Sequence, residues 1–239
     1  SRHMENPTPK FVEKCRNALD RWEEGAMSIR ETILILNQCS QEAMITHHLA
    51  NQGYVEHILG YIEHTRGNLE SSIQHYKQAR ALFVHINNQR FRARMELNLG
   101  ENYRFQGDFD QALELYQNVY MITEQVGDLR IQTFSVVNKG TALFELGENN
   151  NASQAFEEGL ALIEQWQQHF EQKNKILGET HYGMALIHMR RDDPDAAWEH
   201  LHKCLQAAEA HNQPGTRGYA HRWAGILASE IDPLPDSTL

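Results

Sequence analysis

The feature that most constrains this chain is a pair of glycines that recurs every 40 residues. The first set is Gly60, Gly100 and Gly140, and the second is Gly67, Gly107 and Gly147. A small position and an aromatic position keep the same spacing, as Ser72, Ala112 and Ala152 and as Tyr76, Tyr116 and Phe156. A fixed period of this length is typical of stacked repeats, in which each unit buries its apolar face against the next.

A fourth unit continues the pattern after five additional residues. Asp192 takes the turn position of this unit, and Ala185 takes the slot of the first-helix glycine. The slots of its second helix hold Ala197, Leu201 and Cys204. A fifth unit begins at Gly225 and ends at 232–233 without a second helix, while a weaker copy precedes Gly60.

Each unit is predicted to contain two helices. Residues 89–105 hold helix-forming residues without proline, Gly107 interrupts them, and residues 110–124 carry an apolar stripe at helical period. Gly127 is suited to the left-handed position after a helix, and Thr8 before a proline is suited to begin one. The predicted fold is all-α, a right-handed α-solenoid of antiparallel helix pairs in a single array.

The predicted boundaries follow from the repeat. Residues 5–48 form a degenerate helix pair, 49–231 form the array with an unpaired last helix, and 232–239 form a tail. Residues 1–4 are interpreted as an expression remnant. The three cysteines are far apart and odd in number, which favours reduced thiols in the cytoplasm.

Composition narrows the function classes. The chain has 22 basic and 32 acidic residues and a net charge of −10, so it repels phosphate backbones and nucleic acid is not the expected partner. No apolar run approaches the roughly 20 residues of a membrane span. No two histidines lie four residues apart on a helix, and no phosphate-binding or nucleophile motif is present, so we expect no metal, no cofactor and no enzyme activity.

Two short motifs carry a family resemblance. Leu99-Gly100-x-x-Tyr103 and Ala112-x-x-x-Tyr116 resemble the signature elements of the tetratricopeptide repeat, and the resemblance covers residues 53–232. The period of 40 exceeds the usual ~34, and is similar to that of repeats in bacterial signalling regulators. The slot of the family's first-helix tryptophan holds Glu56, Glu96, Val136 and His181.

The resemblance implies a concave groove lined by the first helix of each pair. In register with the glycines, the candidate groove residues are Tyr54, His57, Tyr61, Arg90, Arg94, Asn98, Glu101, Arg104, Phe134, Asn138, Tyr182, Tyr219 and Arg222. Aromatic residues and arginine are the types enriched at binding hot spots.

Two groups within this set suggest a ligand. The arginines of residues 90–104 follow one helix and could receive a carboxylate-rich peptide, or could form a solvated face paired with acidic neighbours. Asn98 and Asn138 repeat in register and could clamp a peptide backbone, or could fill the groove with polar groups. The lysine-asparagine clamp that grips chaperone tails in related modules is matched only at Asn98, which argues against such tails as ligands.

Three functions remain open from the sequence. The first is a cytoplasmic interaction module that binds a protein or peptide, with an acidic one favoured by the arginines. The second is a regulator gated by a small peptide. The third is a scaffold subunit that self-associates through Trp223, Ile226 and Leu227 on the last helix.

Overall fold

The computed structural model describes residues 5–210, which form ten α-helices and no strand. The helices are α1 (Pro9–Glu23), α2 (Ile29–Ile45), α3 (Leu49–Thr65), α4 (Leu69–His85), α5 (Gln89–Phe105), α6 (Phe109–Val126), α7 (Leu129–Glu145), α8 (Asn149–Glu164), α9 (Phe170–Arg190) and α10 (Pro194–Glu209). The all-α solenoid class predicted from the repeat is confirmed. The chain divides into two compact units, of which the first ends at Ile131 and the second begins at Gln132.

The ends of the helices follow local chemistry. Thr8 is the N-cap of α1 and Pro9 its first residue, as predicted. In α2 the Ser28 side chain accepts from the Glu31 backbone N–H, and the Glu31 side chain accepts in return, which is a capping box. Gly127 adopts a positive φ of 75° after α6, which confirms its predicted left-handed position.

The recurring glycines lie where paired helices approach most closely. A Cβ atom added at Gly60 would lie 2.7 Å from the Tyr76 ring, and one at Gly100 would lie 2.6 Å from the Tyr116 ring. Gly140 has the same relation to Phe156, at 2.8 Å. Each glycine therefore receives the aromatic ring of its own helical hairpin, because only an absent side chain leaves room for it.

The fourth hairpin, α9–α10, solves the same crossing differently. Ala185 takes the glycine slot, and the smaller Leu201 takes the aromatic slot; both are fully buried against each other. Asp192 adopts a positive φ of 56° in the turn, as its predicted position requires. The additional residues lengthen α9 to 21 residues, against 17 in α3 and α5, and extend the connection before it.

The N-terminal helices close the core of the first unit. Phe11 of α1, Leu36 of α2 and Ile58 of α3 belong to one buried cluster. Cys15 and Cys39 lie in the same cluster as free thiols, and Cys204 is buried and free in α10. Burial raises the pKa of Cys204 to about 11, as expected for a packed thiol that fills the small slot of the repeat.

Candidate functional site

Eight of the predicted groove residues lie on the first helices of two neighbouring pairs in the first unit. We name this surface the α3–α5 face; its residues are Tyr54, His57 and Tyr61 of α3 and Arg90, Arg94, Asn98, Glu101 and Arg104 of α5. The two helices touch directly, because the Tyr54 and Phe91 rings meet edge to face with centroids 6.3 Å apart. The sequence register therefore brings these residues onto adjacent helices.

The three residues of α3 lie at different depths. Tyr54 is 4% exposed and belongs to the core, whereas Tyr61 is 38% exposed and donates its hydroxyl hydrogen to Glu23 Oε1 at 2.7 Å. His57 is half-buried between the rings of Tyr54 and Tyr76, with centroids 5.8 and 6.2 Å away. Of the three side chains, Tyr54 contributes mainly to packing.

The residues of α5 form a graded surface. Arg90 is exposed, while Arg94, Asn98 and Glu101 are half-buried. The Arg94 guanidinium carbon lies 5.0 Å from the centroid of the Phe91 ring. Arg104 is half-buried too, and its guanidinium carbon lies 4.7 Å from the Phe105 ring centroid. Ring faces attract cations, so both guanidinium groups are held in place by aromatic neighbours.

Three nitrogen atoms of the α3–α5 face are buried without a hydrogen-bond partner in the described part of the chain. They are His57 Nδ1, Arg94 Nε and Arg104 Nε. A buried polar atom that lacks a partner costs about 1–3 kcal/mol, so such atoms are rare and need an explanation. The Tyr116 hydroxyl of α6 is a fourth such atom among the described residues of the first unit, so three of the four lie on the α3–α5 face.

The electrostatic field at this face is positive. Burial, reinforced by Arg94 and by Arg16 of α1, lowers the pKa of His57 to about 4. Burial also lowers the pKa of Arg94, and Arg130 at the start of α7 adds to the effect while Asp128 opposes it. The imidazole is therefore neutral at pH 7, and three arginines outnumber the one carboxylate of the face, Glu101.

The predicted residues of the second unit are less open. Phe134 packs edge to face on Trp166 with centroids 6.1 Å apart. Asn138 is 7% exposed, so it does not present the open amide that the half-buried Asn98 does. Tyr182 packs against the cluster of Ala185 and Leu201. Tyr219 and Arg222, with the last helix predicted for self-association, lie outside the described residues.

A polar contact inside the hairpins was not predicted. The residue at the position of the family's tryptophan contacts the residue 19 positions later on the paired helix. Glu56 Oε2 lies 2.6 Å from His75 Nδ1, and His181 Nδ1 lies 3.0 Å from His200 Nδ1. In the second glycine-containing hairpin, α5–α6, the buried Glu96 accepts instead from Asn118 Nδ2 and from Arg92 Nε, the latter at 3.2 Å. The equal spacing of 19 residues was the signal that could have revealed the two paired contacts.

A concavity of about 570 Å³ opens between α4, α5 and α6. Its lining residues are Lys77, Arg80, Glu96, Tyr103, Gln111, Glu114, Leu115, Gln117, Asn118 and Met121. Its buried carboxylate, Glu96, is already paired with Arg92 and Asn118, so this cavity offers a ligand less than the α3–α5 face does.

Comparison with known families explains the architecture. A model of the tetratricopeptide repeat family matches residues 51–125 and again residues 91–165. The two matches are displaced by the period of the glycines, so the family's repeat is the one seen in the structure. Residues 51–165 of this chain are tetratricopeptide repeats. A comparison with curated proteins found no matching relative.

Several solved structures share this fold at low sequence identity. The apo form of RapI is 14% identical with a TM-score of 0.76, over 95% of this chain and 78% of RapI. The apo form of the quorum sensor NprR from B. thuringiensis is 11% identical with a TM-score of 0.68, over 94% of this chain and 60% of NprR. Kinesin light chain repeats from P. anserina are 15% identical with a TM-score of 0.64, over 85% of this chain and 97% of theirs.

Between residues 5 and 210, no three His, Cys, Asp or Glu side chains come together as a metal site. In that range no helix has both the length and the apolar character needed to span a membrane. Tetratricopeptide solenoids are generally non-catalytic scaffolds that present surfaces to partners.

Proposed function

We propose that this protein binds a peptide, or an extended segment of a partner protein, on the α3–α5 face of its first unit. The unpartnered nitrogens of His57, Arg94 and Arg104 are the observation that carries the proposal. The tetratricopeptide fold and its use in RapI and in the quorum sensor NprR support a binding role of this general kind.

The chemistry of the unpartnered atoms defines what the ligand must offer. Arginine Nε–H groups only donate, so Arg94 and Arg104 need acceptors such as backbone carbonyls or carboxylates. The neutral imidazole of His57 can donate or accept at Nδ1, according to its tautomer. The positive field adds a preference for an acidic ligand. An extended peptide with at least one carboxylate meets all three requirements.

The spacing of the arginines sets the length of the segment. Arg94 and Arg104 are ten positions apart on α5, which corresponds to about 15 Å along a helix. An extended chain covers that distance with about five residues. The ligand segment is therefore short, and a library of seven-residue peptides is long enough to contain it.

The test uses random seven-residue peptides displayed on phage and selected against the full-length chain. We expect the selected sequences to be enriched in Asp and Glu, and the corresponding synthetic peptides to bind when measured by fluorescence anisotropy. The variant Arg94→Met removes the Nε donor while keeping the apolar stem. We expect it to weaken binding at least about tenfold, since a hydrogen bond to a charged group contributes about 1.5–3 kcal/mol.

Arg90→Met is the matched control, because Arg90 is exposed on the same helix and one turn earlier. We expect this variant to change the affinity less than about threefold, as is usual for a charge at a solvated rim. Selection of no acidic peptide, or equal affinity of the Arg94→Met variant and the parent, would refute the proposal.

The resemblance to NprR favours a second candidate, in which the bound peptide shifts the array between two arrangements and so regulates a partner. Small-angle scattering with and without a selected peptide separates the two functions. A change of the scattering profile supports regulation, whereas an unchanged profile with saturating peptide supports simple adaptor binding.

A further inference from the structure

A stack of three histidines lies inside the α9–α10 hairpin of the second unit. His181 of α9 and His200 of α10 bring their Nδ1 atoms to 3.0 Å, and their rings stack with centroids 5.3 Å apart. The His188 ring also stacks with the His200 ring. Their centroids are 5.3 Å apart and the two planes are 13° from parallel. His181 is buried at 7% exposure, so solvent has little access to the contact.

The contact between the two imidazoles depends on their protonation. At 3.0 Å, one Nδ1 donates its hydrogen to the lone pair of the other, so only one of the facing atoms carries a proton. If both rings were protonated, two N–H groups and two positive charges would face each other across that distance. The closed hairpin therefore holds the His181 and His200 pair best when at least one ring is neutral.

Charged neighbours on the hairpin relieve this repulsion only in part, because Glu199 favours the protonated rings while Lys203 disfavours them. On α10, Lys203 Nζ lies 3.1 Å from Glu199 Oε1, so this carboxylate is already paired with a cation. At the N-cap of α10, Asp193 Oδ2 lies 3.6 Å from Nδ1 of His188. Other carboxylates on the helices that pack together here include the exposed Glu157, Glu158 and Glu164 of α8, the half-buried Glu179 of α9, and the exposed Asp195 and Glu209 of α10.

We propose that the α9–α10 hairpin is an acid-sensitive latch, which opens when the buried pair of His181 and His200 takes up protons. The opened hairpin exposes both rings to water, where each can be charged without facing the other. Acidification therefore shifts the hairpin toward its open form. Neither the tetratricopeptide fold nor the α3–α5 face requires such a device, and the latch stands independently of peptide binding.

The direction and size of the effect follow from linkage. Burial, reinforced by His200 and Lys203, lowers the pKa of His181 to about 4, and burial with His188 lowers that of His200. Between about pH 6.5 and 4, the open form therefore binds protons that the closed hairpin does not. As a result, the stability of the closed hairpin falls as the pH decreases through this range. For His181 alone, opening should be favoured roughly 30-fold more at pH 5 than at pH 7.5.

The chain offers its own neutral version of this contact. In the third hairpin, the two slots that correspond to His181 and His200 hold Val136 and Ala155, again 19 residues apart. The double variant H181V/H200A therefore installs a pair of side chains that this repeat already accommodates. The single variant His181→Glu instead reproduces the Glu56–His75 pair of the first hairpin.

The test is hydrogen–deuterium exchange of the full-length chain, read by mass spectrometry at pH 7.5 and 5.0 with EDTA present throughout. After correction for intrinsic exchange, we expect protection of α9–α10 to fall roughly 30-fold in the parent at pH 5. Protection of α3–α4 should change little. The variants H181V/H200A and His181→Glu should lose this acid sensitivity in α9–α10. An equal response of the parent and H181V/H200A would overturn the proposal.

A second measurement keeps the proposal testable if the double variant does not fold. The imidazole nitrogens of the parent can be titrated by two-dimensional NMR, which reports each histidine separately. We expect His181 to take up its proton only below about pH 5 while the hairpin is closed. Titration of His181 near the ordinary histidine value of about 6.5, with no change in the hairpin's amide resonances, would contradict the latch.

Discussion

The first and fourth hairpins of the repeat array, α3–α4 and α9–α10, fill the same repeat positions with different side chains. In α3–α4 the crossing is made by Gly60 against the Tyr76 ring, and in α9–α10 by Ala185 against the smaller Leu201. At the position of the family's tryptophan, a polar contact joins the two helices, which we call the bridge. It is formed by Glu56 and His75 in α3–α4 and by His181 and His200 in α9–α10. At the crossing, a larger residue on one helix is matched by a smaller one on the other in both hairpins. At the bridge, the first hairpin pairs an acidic group with an imidazole, whereas the fourth pairs two imidazoles.

The difference teaches which properties the repeat constrains. Steric fit at the crossing is shared by the four hairpins from α3 to α10, since two helices approach closely only when a large residue faces a small one. The bridging slot tolerates a carboxylate with an imidazole, two imidazoles, or Val136 with Ala155. Acid response and binding chemistry can therefore differ between repeats without a change of fold.

The largest expected effect is at the crossing of the second hairpin. Gly100→Leu would force its side chain into the Tyr116 ring, which already lies 2.6 Å from the position of a Cβ. We expect a loss of about 3 kcal/mol or more, at the upper end of what overpacking costs, or failure to fold. Urea unfolding followed by circular dichroism measures this loss.

The control for this variant copies the fourth hairpin into the second. Gly100→Ala alone should destabilise, and the double variant G100A/Y116L, which reproduces Ala185 and Leu201, should lose less than the sum of its two single changes. Strict additivity would mean that Gly100 and Tyr116 are not a matched pair, and that the steric account of the crossing is wrong.

A smaller effect is expected at the bridge of the second hairpin. Glu96 is buried and is held by Arg92 and by Asn118. Arg92→Met leaves this carboxylate with one partner, so we expect a loss of about 2 kcal/mol in the free energy of unfolding. The double variant R92M/E96V, which restores the apolar residue of the third hairpin's slot, should recover part of the loss. Equal losses in both variants would show that the buried charge is not the cause.

The smallest effect is conditional on pH. Glu56→His converts the bridge of the first hairpin into the pair of histidines found in the fourth. We expect the melting temperature to change by a few degrees at most at pH 7.5 and to fall further at pH 5, because two protonated rings would then face each other. Glu56→Gln, which adds no titrating group, is the control. The same dependence on pH in both variants would contradict the explanation.

Much of the fold could be predicted from the sequence, because steric rules repeat with the chain. The predicted helix of residues 89–105 is observed as α5, and the turn position of Asp192 is observed at positive φ. The burial of each predicted groove residue could not be predicted, because the repeat register tells which face of the helix a residue lies on but not which neighbouring side chains cover it. Tyr54 and Asn138 were predicted to line the groove, yet both are buried. The bridge of His181 and His200 depends on pairing across a turn, which residue spacing within a single helix does not reveal.

The measurement that tests the central claim most directly is the stability of Arg94→Met without ligand, compared with Arg92→Met two residues away. If the buried Nε of Arg94 serves a ligand rather than the fold, its removal should leave the free energy of unfolding unchanged or increase it, while peptide binding is lost. A destabilisation like that of Arg92→Met, with peptide binding retained, would contradict the account.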